Sequence, residues 1–155
     1  MSVHYKLEAY VPINAPADKY YNVFKNRPHH LPNISTERLQ NCQLHGGGSW
    51  DAHGHGSIKT WTYTIGGKAN QSFKERVEFD DATKTITLIG LEGDVFKEFK
   101  LYNVIYQPIP KDSNSCVVKS VIEYEKLRDD GPDAHRYLDF IVGIAKDVEA
   151  HLVKA

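Results

Sequence analysis

Two aromatic residues and a lysine alternate along residues 56–63, a segment with the sequence GSIKTWTY. Because successive side chains of a strand point to opposite faces, Lys59, Trp61 and Tyr63 share one face. A packed core favours branched aliphatic side chains, whereas a cavity for a flat, partly polar ligand suits large rings with an O–H, an N–H and an ammonium group nearby. The spacing therefore predicts that these three residues line a binding pocket.

The polar groups of such a pocket allow two interpretations each. The Lys59 ammonium can meet a ligand carboxylate or phenolate, or its stem can run to the edge of the sheet and place the charge in solvent. Asn103, Ser120, Tyr63 and Tyr124 can orient a ligand, or they can satisfy one another through buried water. The sequence leaves these alternatives open.

Residues 45–56 form a loop rich in glycine and histidine, with the sequence HGGGSWDAHGHG. Glycine N–H groups can cradle a phosphate, but no lysine–threonine ending follows and the loop joins two strands instead of starting a helix. Its histidines and Asp51 also match the ligand types that zinc and nickel prefer. The glycines favour mobility, so we expect a flexible loop that guards the pocket, with Trp50 as a hydrophobic flap.

The composition indicates a single globular domain, which we place at residues 1–155. Apolar residues make up 41% of the chain and charged residues 25%, and a net charge of −1 gives no reason to expect nucleic acid or membrane binding. We find no signal peptide or membrane-spanning run and expect a cytoplasmic protein. Cys42 and Cys116 lack the spacing of a disulfide framework or zinc site, so we expect reduced thiols.

Periodicity and turn signals divide the chain into seven strands and a few helices. Alternation in the first strand ends at Pro12, and Asn14 has the residue type of an N-cap for a short helix. Turn residues separate the later strands in the manner of an antiparallel meander. We predict strands at residues 3–12, 38–45, 57–64, 68–79, 83–91, 95–108 and 115–126.

From Pro132 onward the apolar period becomes that of a helix of about 24 residues. Its apolar stripe contains Tyr137, Leu138, Ile141, Ile144, Ala145, Val148 and Leu152. Such a helix can plug a curved sheet as ordinary core or cover a cavity. We favour a lid over a cavity, because the strand residues that face it are a mixture of aromatic, polar and small side chains that would pack a solid core poorly.

Several sequence blocks give the chain a family resemblance. They are RPHHLPNI (27–34), GSIKTW (56–61), GKA (67–69), KER (74–76), LEGD (91–94), EYEKL (123–127) and YLDF (137–140). In this order over the whole chain they resemble the plant major latex protein family, within the birch-pollen-allergen or pathogenesis-related class 10 superfamily. The loop at 45–56 departs from that pattern, because relatives have a shorter glycine-containing turn there.

The resemblance implies an α+β helix-grip (START-like) fold, in which a curved seven-stranded antiparallel sheet and two short helices enclose a cavity against the long C-terminal helix. Combined with alternation, this fold predicts which side chains face inward. From them we take these ligand-binding residues: Phe24, Leu31, Lys59, Trp61, Tyr63, Leu88, Phe99, Leu101, Asn103, Ser120, Ile122, Tyr124, Tyr137, Ile141 and Ile144. We predict that Ile86, Gly90, Ile105, Val118, Ala145 and Val148 also face inward. On the sixth strand a bulge would exchange this face for the almost equally apolar one that carries Phe96, Tyr102, Val104 and Tyr106.

The resemblance also implies that the cavity binds small hydrophobic or aromatic plant metabolites, as a carrier, store or defence-related protein. The alternative is a cofactor-free isomerase or cyclase of alkaloid biosynthesis that uses the same cavity, with Lys59 and Tyr63 as the candidate catalytic residues. A third hypothesis is protein interaction through Tyr102 and Tyr106 on the outer face of the sheet. We expect no cofactor and no metal, and a monomer or weak dimer.

Overall fold

Seven strands form one antiparallel sheet in the computed structural model, which describes residues 3–46 and 48–154. The strands are β1 (His4–Ile13), β2 (Leu39–Leu44), β3 (Ile58–Ile65), β4 (Lys68–Asp80), β5 (Thr85–Gly93), β6 (Phe99–Asp112) and β7 (Ser115–Lys126). They lie in the order β1-β7-β6-β5-β4-β3-β2, so β1 and β2 are the two edges. The predicted α+β fold with a seven-stranded sheet is confirmed.

Helices cover the concave face of this sheet. They are α1 (Ala17–Asn26), α2 (Leu31–Ile34) and α3 (His135–Lys154), with short 3₁₀ turns at Pro28–His30, Trp50–Ala52 and Asp94–Lys97. Among the described residues, no helix combines the length and the apolar character that crossing a membrane requires.

The first helix begins later than its sequence suggests. Its N-cap is Pro16, without a side-chain cap, and Ala17 is the first helical residue. The predicted N-cap at Asn14 is wrong, because Pro16 occupies the N-cap position and Asn14 lies two residues before it. The Asn14 backbone N–H donates to Glu149 Oε2 of α3 at 2.7 Å. This bond ties the end of β1 to α3.

The apolar stripe of α3 faces the sheet, as its period predicts. Tyr137, Ile141, Ile144, Ala145 and Val148 are all buried. At the edge of this helix Arg38 Nη1 lies 3.0 Å from Asp147 Oδ2, and the Ser35 hydroxyl donates to the same carboxylate oxygen. The α2–β2 connection is thereby held against α3.

The sixth strand contains a bulge that changes which residues face inward. Phe99 is opposite Lys126 of β7, yet Leu101 is opposite Glu125, so β6 advances by two residues while β7 advances by one. Phe99 is buried, and after the bulge Tyr102, Val104 and Tyr106 take the inward positions.

Candidate functional site

A cavity of about 80 Å³ lies between α3 and the middle of the sheet. Aromatic side chains form much of its wall, namely Phe24, Trp61, Tyr63, Phe73, Tyr102, Tyr106, Tyr137 and Phe140. The aliphatic part of the wall consists of Pro28, Leu31, Leu39, Ile86, Leu88, Val95, Val104, Ile141 and Ile144. Among the described residues, the charged members of the wall are Lys59 and Glu75.

Lys59 and Glu75 form a buried ion pair. The two residues are directly opposite each other on β3 and β4. Lys59 Nζ lies 3.1 Å from Glu75 Oε2, with side chains only 2% and 0% exposed. Trp61 Nε1–H donates to the other carboxylate oxygen at 2.5 Å. Because each charge has a partner of opposite sign, the pair gives the cavity a fixed dipole but no net charge.

His53 extends this network into the segment that precedes β3. Its Nδ1 lies 2.7 Å from the Lys25 carbonyl oxygen, and since a carbonyl can only accept, Nδ1 carries the proton. The free Nε2 therefore accepts a hydrogen bond from Lys59 Nζ at 3.0 Å. Burial, followed by the nearby Lys59 charge, lowers the pKa of His53 to about 4. The ring is accordingly neutral at pH 7.

Tyrosine hydroxyls supply the remaining polar groups of the wall. Burial raises the pKa of Tyr63, and it raises the pKa of Tyr102 and Tyr106 well above the ordinary value, so all three are neutral phenols. The Tyr63 hydroxyl is buried and has no hydrogen-bond partner among the described residues. Tyr137 differs, because its hydroxyl donates to Glu98 Oε2 at 2.8 Å.

The segment that carries Trp50 lies against the turn before α2. The Trp50 and His29 rings stack with their centroids 4.7 Å apart. His45 Nε2 lies 2.6 Å from Thr60 Oγ1, and His55 Nδ1 accepts the Phe79 backbone N–H at 3.0 Å. In the part of the chain that the structure describes, no group of three or more His, Cys, Asp or Glu residues is placed to hold a metal ion. The predicted gating by Trp50 stays a prediction.

Comparison with known proteins assigns the chain to a family. The model of the pathogenesis-related protein Bet v 1 family matches residues 2–155. The chain belongs to this family. MLP-like protein 328 of Arabidopsis thaliana is 37% identical over 145 residues, which cover 94% of this chain and 93% of that protein. Major latex protein 146 of Papaver somniferum is 33% identical over 144 residues, which cover 90% and 86% of the two chains. The predicted resemblance to the major latex proteins is confirmed.

Solved structures support the same assignment for this Bet v 1 family member. Ginseng major latex-like protein 151 from Panax ginseng is similar with a TM-score of 0.88 and 34% identity, covering 96% of this chain and 97% of that chain. Norcoclaurine synthase from Thalictrum flavum, in complex with dopamine and hydroxybenzaldehyde, has a TM-score of 0.71 at 21% identity, covering 97% and 89%. At that identity the second comparison shows a shared fold alone.

The structure brings most of the predicted ligand-binding residues of this Bet v 1 family member to the cavity wall. Those that line it are Phe24, Leu31, Lys59, Trp61, Tyr63, Leu88, Tyr137, Ile141 and Ile144. Phe99, Ser120, Ile122 and Tyr124 are buried, but they lie in the packed core and outside the wall. Whether any of these residues contacts a ligand stays a prediction.

The predicted orientation of the sixth strand is wrong. Leu101 and Asn103 lie on the outer face, as does Ile105, and Asn103 Oδ1 accepts the Gly90 backbone N–H at 3.3 Å. The bulge after Phe99 inserts one residue and reverses the alternation. Tyr102 and Tyr106 therefore face the cavity and are only 4% exposed, which removes the basis for the predicted protein interaction through their rings.

Sequence reasoning missed the residues on β4 and the buried histidine. Phe73 and Glu75 line the cavity, and His53 is 7% exposed. Phe73, Glu75 and Val77 do alternate, and the Gly66–Gly67 turn between β3 and β4 brings Glu75 opposite Lys59. That hairpin signal was sufficient to find Glu75. His53 lies outside any regular element, so alternation could not have found it.

Proposed function

We propose that this Bet v 1 family member binds small, flat, largely apolar metabolites in its cavity, as a carrier, store or defence-related protein of the cytoplasm that needs no cofactor. The observation that carries the proposal is an aromatic wall with a buried hydroxyl on Tyr63 that has no partner in the described part of the chain. An unsatisfied buried polar group costs free energy, and a ligand oxygen or nitrogen would supply the missing hydrogen bond. Aromatic rings also stack favourably on a flat ligand.

The charges in the wall favour an uncharged ligand. The Lys59 ammonium is already neutralised by Glu75 at 3.1 Å and donates to His53. A ligand carboxylate would therefore meet a pair without net charge and would lose its hydration without gaining a counter-ion. Of the two interpretations of Lys59, contact with a ligand anion is the one that this geometry disfavours.

The size of the cavity predicts that the walls move on binding. Its volume of about 80 Å³ has room for a few water molecules, whereas pockets for drug-sized ligands typically measure roughly 300–1,000 Å³. We expect a ligand with more than one ring to displace α3 or the segment that carries Trp50. Amide hydrogen exchange with and without ligand measures that displacement.

An enzymatic role is the second candidate, and one observation favours it. Lys59, Glu75 and His53 place an ammonium, a carboxylate and a neutral imidazole within hydrogen-bonding distance, and the first two line the cavity. These are groups that can move protons on a bound substrate. Norcoclaurine synthase, which shares the fold, was solved with dopamine and hydroxybenzaldehyde bound. The same cavity would then serve as the active site of a cofactor-free isomerase or cyclase acting on alkaloid-type substrates.

Native mass spectrometry with matched small aromatics tests the proposal. We expect 4-hydroxybenzaldehyde, which has no carboxylate, to bind at least tenfold more tightly than 4-hydroxybenzoate, whose carboxylate is charged. A plant metabolite extract then extends the search to larger compounds. Tighter binding of the benzoate would contradict the preference for neutral ligands, and no adduct with any compound in a folded protein would contradict a binding function.

Depletion of free compounds in the same incubations separates the carrier from the enzyme. A carrier releases its ligand unchanged, whereas an enzyme consumes a compound and yields a new mass. The double variant Lys59→Met/Glu75→Leu removes both charges together and leaves no unpaired ion. Turnover that disappears in this variant while binding persists would establish the enzyme.

A further inference from the structure

The free edge of β1 carries exposed side chains of both charges, Lys6 and Glu8. Within the described residues β7 is the only strand that pairs with β1, over His4–Ile13. Every second residue of β1 therefore turns its backbone N–H and C=O away from the sheet. Lys146 Nζ of α3 donates to the Pro12 carbonyl oxygen at 3.2 Å. The outward backbone groups before Pro12 can therefore pair with another strand.

The outward side chains along this edge carry both signs of charge. Lys6 and Glu8 are both exposed, and Tyr10 on the same face is 57% exposed. Lys6 lies 3.7 Å from Glu123 of β7, and no described residue forms an ion pair with Glu8. Charged residues on an edge strand usually prevent pairing, but a plus–minus pattern can also direct it.

A second copy of the chain fits this pattern in one antiparallel register. A two-fold axis at Leu7 places Lys6 of each copy opposite Glu8 of the other, and Leu7 opposite itself. Moving the axis to Lys6 places two lysines opposite each other, and moving it to Glu8 places two glutamates opposite each other. Like charges directly opposite are destabilising in a sheet, so the axis at Leu7 is the favoured register.

We propose that two copies of this protein associate along β1 in the register centred on Leu7, which continues the seven-stranded sheet of one copy into that of the other. The interface is isologous, because the same edge serves both copies. Main-chain hydrogen bonds supply the attraction and the two Lys6–Glu8 pairs select the register. The cavity takes no part, so this inference stands independently of the proposed function.

Sedimentation velocity over a concentration series tests the dimer. We expect a concentration-dependent dimer at low salt that weakens as salt rises, because the selecting pairs are exposed. Lys6→Glu and Glu8→Lys should each weaken dimerisation about tenfold or more, since each replaces two attractive pairs by two repulsive ones. The double variant Lys6→Glu/Glu8→Lys should restore the wild-type dissociation constant.

Lys68→Glu is the matched control, because it changes the net charge as Lys6→Glu does but lies on β4, distant in the sheet order from β1. It should leave the dimer unchanged. A protein that stays monomeric at every concentration would overturn the proposal. So would a dimer that the double variant fails to restore, or one that Lys68→Glu weakens as strongly as Lys6→Glu does.

Discussion

The two halves of the concave face obey the same alternation but pack differently. The inward side chains of β3, β4 and β5, which we call the cavity half, include Lys59, Trp61, Tyr63, Glu75 and Ile86 and border the cavity. The inward side chains of β1 and β7, which we call the packed half, include Val11, Ile13, Val118 and Ile122 and are at most 3% exposed. None of the packed-half residues that the structure describes borders the cavity.

The two halves differ in which side chains predominate. Branched aliphatic side chains of the packed half fill the gap beneath α1 and α3. In the cavity half, large rings surround a buried ion pair whose hydrogen bonds hold Lys59, Trp61 and Glu75 together on the sheet side of the cavity. Stability should therefore depend on charge balance in the cavity half and on side-chain volume in the packed half.

Breaking the ion pair should have the largest effect on the cavity half. Glu75→Leu leaves the Lys59 ammonium buried without a counter-ion and removes the acceptor of the Trp61 N–H. We expect a loss of about 3–5 kcal/mol in the free energy of unfolding, measured by chemical denaturation. Lys59→Met/Glu75→Leu should recover most of this loss.

Glu78→Leu is the control for the same strand, because Glu78 lies on the outer face of β4 with its side chain 43% exposed. Its effect should stay within about 0.5 kcal/mol. If Glu75→Leu were as mild as this control, the cavity half would not depend on charge balance.

Removing side-chain volume should destabilise the packed half more than the cavity half. Ile122 on β7 and Ile86 on β5 are both 0% exposed, but only Ile86 borders the cavity. Ile122→Ala should cost about 4 kcal/mol, near the upper end for such substitutions, because it opens a new void. Ile86→Ala should cost about 1–2 kcal/mol less, since part of its surface already faces empty space.

Equal losses in the two alanine variants would mean that the cavity wall is packed as tightly as the core. Ile122→Val and Ile86→Val extend the comparison with a smaller change in volume. The loss in free energy of unfolding should again be larger for Ile122→Val than for Ile86→Val.

The pH dependence of stability should arise from His53, which hydrogen-bonds to Lys59 of the cavity half. Its pKa in the folded protein, about 4, is below the ordinary value of 6.5, so the unfolded chain binds the proton more readily. Stability from this group is fully present above about pH 6.5 and is lost as pH falls toward about 4. Protonation also places a second positive charge beside Lys59.

Tryptophan fluorescence measures this change, because Trp50 lies 5.8 Å from the His53 ring and Trp61 bonds to Glu75. We compare unfolding at several pH values between 4 and 7 with that of His53→Gln, whose amide does not titrate in this range. The difference between the two proteins should shrink as pH falls. A constant difference would assign the pH dependence to other groups.

Alternation alone was enough to place part of the site. Lys59, Trp61 and Tyr63 face the cavity as expected, because β3 continues without interruption across these residues. The α3 stripe was equally predictable, since a long helix with one apolar face must bury that face. These predictions depend only on local periodicity.

The errors and omissions arise where tertiary structure overrides periodicity. The bulge after Phe99 reversed the assignment of Leu101 and Asn103, and both faces of that strand are apolar enough to conceal the change. His53 is buried by its contacts with Lys25 and Lys59, which are distant from each other in sequence. Neither the bulge nor this burial has a periodic signal in the chain.

The smallest expected effect on stability distinguishes a binding group from a structural one. Tyr63→Phe removes a buried hydroxyl to which no described residue bonds, so stability should stay the same or rise by about 1 kcal/mol. Tyr137→Phe removes a hydroxyl that donates to Glu98, so stability should fall by about 1 kcal/mol. Calorimetry of the two variants measures both values.

Ligand binding by the same two variants completes the comparison. If the Tyr63 hydroxyl bonds to the ligand, Tyr63→Phe should weaken binding of 4-hydroxybenzaldehyde about fivefold to tenfold while leaving the fold intact. Tyr137→Phe should weaken ligand binding less, because the Tyr137 hydroxyl already donates to Glu98. A Tyr63→Phe protein that loses stability and binds normally would show that the hydroxyl is satisfied within the fold and does not bond to the ligand.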